Sequence, residues 1–84
     1  MDCGVAKSIR NRIISFDNTD FAEVQPGFAC GTIYAYPGYG AVEVEGEDFY
    51  FTIPEGMAYA FVPNGKPYPG FQIIGGWFSA VFNY

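Results

Sequence analysis

The chain has 84 residues, half of them hydrophobic and a fifth aromatic, with a net charge of −5 and no histidine. That describes one small domain, 1–84, whose thin core large rings must fill. The composition argues against nucleic-acid binding, which needs a basic patch, and removes all imidazole chemistry. It also excludes a membrane helix, since no apolar run approaches roughly 18–20 residues.

The charge is unevenly placed. Residues 1–12 hold Lys7, Arg10 and Arg12 against Asp2, whereas residues 13–84 hold eight acids against Lys66. A basic leader therefore precedes an acidic body. Val5, Ile9 and Ile13 recur every four residues, which suits a short helical or irregular leader. Arg12–Phe16 then reads as a strand, and Asp17-Asn18-Thr19-Asp20 as a turn. The leader lacks a secretory h-region and a glycine at position 2, so a cytoplasmic protein is expected. In that compartment Cys3 and Cys30 are expected as free thiols. Without a CxxC pair they make no structural zinc site.

From Phe21 onward, Pro-Gly, Asn-Gly and Gly-Gly pairs divide the chain into short pieces. Phe28–Tyr36 is strand-like. Ala41–Glu45 alternates, with Val42 and Val44 on one face and Glu43 and Glu45 on the other. Gly46-Glu47-Asp48 turns the chain, and Phe49, Phe51 and Ile53 line one face of the next strand. This is the clearest hairpin signal in the sequence. Ala58–Val62, Phe71–Ile74 and Trp77–Tyr84 complete the strands. The segment Pro63–Gly70 holds three prolines and reads as an exposed loop with Tyr68 near its tip. The apolar C-terminus is expected to dock inside the sheet or at an interface. The fold class is all-β: an antiparallel barrel or sandwich of about six short strands.

No catalytic constellation is present. Ser8, Ser15 and Ser79 have no histidine to activate them, and neither phosphate-loop pattern occurs. Gly38-Tyr39-Gly40 and Gly75-Gly76 read as turns and bulges. Glu43, Glu45, Glu47 and Asp48 could in principle hold a hard cation, but their alternation with buried valines reads first as a solvated face. Neither a cofactor nor a metal is implied.

What remains is binding. Nine phenylalanines, seven tyrosines and one tryptophan exceed what so small a core hides. Exposed rings mark a partner or ligand site. The leading expectation is an inhibitor that docks on a basic, nucleic-acid-handling protein. Phage-encoded inhibitors of host defence or transcription are analogous in size and charge. Glu43, Glu45, Glu47 and Asp48 would supply the electrostatics, and Tyr34, Tyr36, Tyr39, Tyr68 and Trp77 the anchors. The alternative is an oligomeric β protein that sequesters a planar ligand such as a nucleotide. Its rings would stack the base, and Arg10 and Arg12 would hold phosphate. A structural, self-associating homo-oligomer is a third possibility, since oligomers compensate for small cores.

Overall fold

The computed structural model describes residues 12–84. The leader 1–11, with its expected helical turn, lies outside the described residues. Six strands follow: β1 (Ile13–Val24), β2 (Cys30–Ala35), β3 (Val42–Gly46), β4 (Tyr50–Ile53), β5 (Ala58–Phe61) and β6 (Phe71–Asn83). All pairings are antiparallel, and the sheet curls into a half-barrel. No helix among the described residues is long and apolar enough to cross a membrane.

β6 organises the sheet. One of its edges pairs with β1 from Phe71 to Asn83. Its other edge pairs first with β3, over Phe71–Ile74, and then with β2, over Phe78–Asn83. β3 carries β4, and β2 carries β5. Two wings thus leave one edge of β6 and curl over a shared core. The C-terminus is docked as expected, with Tyr84 buried against Phe28 and its hydroxyl donating to the Gln25 carbonyl. Burial pushes the Tyr84 phenol above its ordinary range, while the Arg12 guanidinium and that hydrogen bond act in the opposite direction.

The sequence predicts two strands where β6 is one. Gly75 and Gly76 do not turn the chain; they form a bulge inside the strand. Phe71 and Ile73 face the core before the bulge, and Phe78, Ala80 and Phe82 face it afterwards. The inward set therefore changes from odd to even positions, as two inserted residues with non-strand backbone allow. Gly76 has φ +57, and a Cβ there would lie 3.0 Å from the Gly40 carbonyl and from Val42. Both the close approach and the positive φ favour glycine there. β1 contains a second departure from expectation. Residues 17–20 form no turn, because β6 is long enough to pair with the chain on both sides of them. Between Phe16 and Thr19 the β1 side carries one extra residue, absorbed by Asn18 at φ 50. Asparagine tolerates that region better than most residues.

The core centres on Phe28, which is fully buried against Phe61, Tyr68, Phe71, Phe82 and Tyr84. Gly31 lets the Phe82 ring lie directly on β2, since a Cβ there would meet that ring at 2.4 Å and the Val81 carbonyl at 2.7 Å. Cys30 is buried and disulfide-bonded, which corrects the expectation of a free thiol. That expectation rested on an assumed reducing compartment, which the residues themselves do not specify.

Candidate functional site

The outer face of the sheet gathers most of the residues singled out from sequence. Alternation sends Val42 and Val44 inward, so Glu43 and Glu45 stand outward and exposed. The pairings then set them in rows across four strands. Glu23, Gln72, Glu45 and Tyr50 form one row; Phe21, Ile74, Glu43 and Thr52 form the next. Glu47 and Asp48 occupy the exposed tip of the β3–β4 hairpin, closed by the Gly46 N–H donating to the Phe49 carbonyl at 2.9 Å. Glu23, Glu45 and Glu47 border a shallow hollow of about 250 Å³. Among the described residues no group of acidic or cysteine side chains is placed to hold a metal ion.

Carboxylates two residues apart on a strand are about 7 Å apart and repel by about 0.5 kcal/mol even in a water-like dielectric. Tyr50 registers this field. Its phenol is held above the ordinary range, first by lost hydration and then by the charge and hydrogen bonding of Glu43 and the charge of Glu45. Raising the pH through that elevated value removes whatever stability the neutral phenol contributes. A Glu43→Gln variant is therefore expected to lower the Tyr50 titration midpoint, followed by phenolate absorbance in single-tyrosine difference spectra. An unchanged midpoint would detach Tyr50 from the acidic row.

Beyond the bulge the same face becomes aromatic. The Tyr36 hydroxyl shares a 2.8 Å hydrogen bond with Ser79 Oγ, which also accepts the Asn18 N–H at 3.1 Å. Tyr34 packs edge-on against Tyr36, with ring centroids 5.0 Å apart. Tyr39 lies over Trp77 at 6.1 Å. Tyr39 is held there through its loop: Glu55 Oε1 accepts the N–H groups of Gly38 at 2.6 Å and Gly40 at 3.3 Å. Removing that carboxylate in Glu55→Ala is expected to cost about 1 kcal/mol in urea unfolding and to loosen Tyr39, because both bonds are charge-assisted yet exposed. A change below a few tenths would show that the loop holds itself.

Four of the five predicted aromatic anchors thus converge on the face that bears Glu43 and Glu45. The fifth does not. Tyr68 is no loop tip; its N–H donates to the Phe28 carbonyl and its own carbonyl accepts from Gly27, both bonds turning the residue inward. Its ring stacks on Phe28 at 5.0 Å, and its hydroxyl donates to the Val62 carbonyl. Arg12 lies over the Tyr84 ring, 4.8 Å from its centroid, and not among the predicted anchors. Arg10 lies outside the described residues.

Sequence reasoning missed Glu23, Phe21 and Tyr50 on this face. Tyr50 was readable, since it alternates with inward Phe49 and Phe51. Glu23 and Phe21 join only through the β1–β6 register, a long-range pairing with no local signal. No protein-family model matches this chain, and neither a curated protein nor a solved structure is significantly similar to it.

Proposed function

We propose that this is a non-catalytic binding protein whose outer sheet face docks on a protein with a basic surface. The observation that carries the reading is the composition of that one face. Glu23, Glu43 and Glu45 share it with Phe21, Tyr34, Tyr36, Tyr39, Tyr50 and Trp77. The two basic side chains among the described residues lie elsewhere: Arg12 against Tyr84, and Lys66 in the 62–70 loop. Clustered like charges on a small domain are a standing cost that an oppositely charged partner relieves. Exposed rings beside them supply area and affinity once water is excluded.

Proteins that handle nucleic acids have basic sites built for phosphates. Carboxylates spaced along a rigid sheet can occupy such a site, so the role proposed is inhibition by occlusion. The test is affinity capture from a lysate of the source cell, with wild-type bait beside Glu23→Lys/Glu43→Lys/Glu45→Lys bait. The expected result is a basic protein retained by the first and lost from the second. Equal retention by both baits would overturn the reading.

A further inference from the structure

The opposite face of the sheet carries a second feature. β4 and β5 are consecutive, yet β4 pairs with β3 and β5 with β2, and neither pairs with the other. The wings stay open between them, leaving a cleft of about 360 Å³ lined by the rings of Phe49, Phe51, Tyr59, Phe61, Tyr68 and Phe71. We infer that this cleft is a binding site for one uncharged planar molecule of one or two fused rings.

Three observations support the assignment. The walls are already in place. Phe61 and Phe71 are buried and stacked at 5.3 Å with 20° between their planes. Tyr68 is fixed by its stack on Phe28 and by its hydroxyl bond to Val62. A site formed before binding spares the ligand the cost of ordering it. The rim, by contrast, is wet: Phe49 and Phe51 are half-buried and Tyr59 is 41 % exposed. These rings have apolar surface still to lose to a ligand. Finally, among the described residues no charged side chain lines the cleft. An anion would find no cationic side chain there and would meet a chain of net charge −5. A cation would find ring faces but no carboxylate to complete its neutralisation. The volume is near the low end of small-molecule pockets, which limits the occupant to about one or two rings. The site is independent of the outer-face proposal and uses none of that face's residues.

The experiment titrates the full-length protein with indole, tryptamine and indole-3-acetate, and follows aromatic and amide NMR shifts. Indole is expected to give saturable shifts below about 1 mM, localised to Phe51, Tyr59, Phe61 and Tyr68. The anion should bind at least tenfold more weakly and the cation no better than indole. Tyr59→Ala alters an exposed side chain and so keeps the fold; it is expected to weaken indole about tenfold. Tyr39→Ala, on the opposite face, should leave indole binding unchanged. Non-saturating shifts, shifts centred elsewhere, tighter binding of either ion, or an unaffected Tyr59→Ala protein would each overturn the assignment.

Discussion

Phe28→Ala is expected to destabilise the protein by about 3–5 kcal/mol, the range for emptying a large aromatic site in a packed core. The ring is fully buried and meets five others with centroids 4.8–6.0 Å away. Those five come from the 62–70 loop, β5, β6 and the C-terminal residue, so the cavity would lie where the wings meet β6. Phe61, Tyr68, Phe71 and Phe82 each contact another ring of the cluster, so none of these four can fill it without giving up that contact. A domain of this length is stable by roughly 4–13 kcal/mol, so the variant would lose between about a quarter and all of that stability. Urea unfolding gives the midpoint, and near-UV circular dichroism reports whether the ring cluster keeps its asymmetry. A loss below about 1.5 kcal/mol would mean that Phe28 is not the centre of the core.

Reversing three outer-face charges should have the opposite profile: little change in stability and a large loss of binding. Glu23→Lys/Glu43→Lys/Glu45→Lys turns the net charge from −5 to +1. All three positions are exposed on regular strands, where substitutions away from special features stay within about 0.5 kcal/mol each. Against a basic partner, each reversal replaces attraction with repulsion. The expected loss is at least hundredfold in affinity, with much of it in the association rate. A Glu→Gln triple variant should lie between the two, since it removes attraction without adding repulsion. Affinity within about threefold of wild type in the Lys variant would remove the acidic row from the interface.

The sequence was most legible where structure is local. The β3–β4 hairpin follows from strict alternation on both sides of Gly46-Glu47-Asp48, and that alternation alone sends Glu43 and Glu45 outward. The outward turn of Tyr34 and Tyr36 was legible in the same way. What sequence could not supply was long-range register. Gly75-Gly76 reads as a turn or bulge because a Gly-Gly pair is a turn signal. Here neighbours on both edges of β6 hold the strand together through the bulge. Asp17–Asp20 reads as a turn because Asp and Asn favour turns, and it is overridden by the same strand. Glu23 reaches the acidic row only because β1 returns along β6. Tyr68 was misplaced because a proline-rich loop carries no sign of the two backbone bonds to Phe28 and Gly27 that turn it inward. The aromatic cleft was divided among four separate pieces of sequence, three of which read as strands and one, around Tyr68, as an exposed loop.

The measurement that bears most directly on the account is the association rate constant with the captured basic protein as ionic strength rises. Between about 0.02 and 0.3 M salt the screening length shrinks from roughly 20 Å to about 6 Å, which removes long-range steering but leaves ring contacts intact. If the acidic rows steer docking, the association rate should fall at least tenfold over that range while the dissociation rate changes little. A flat association rate would contradict the account and leave the rings as the only basis for binding.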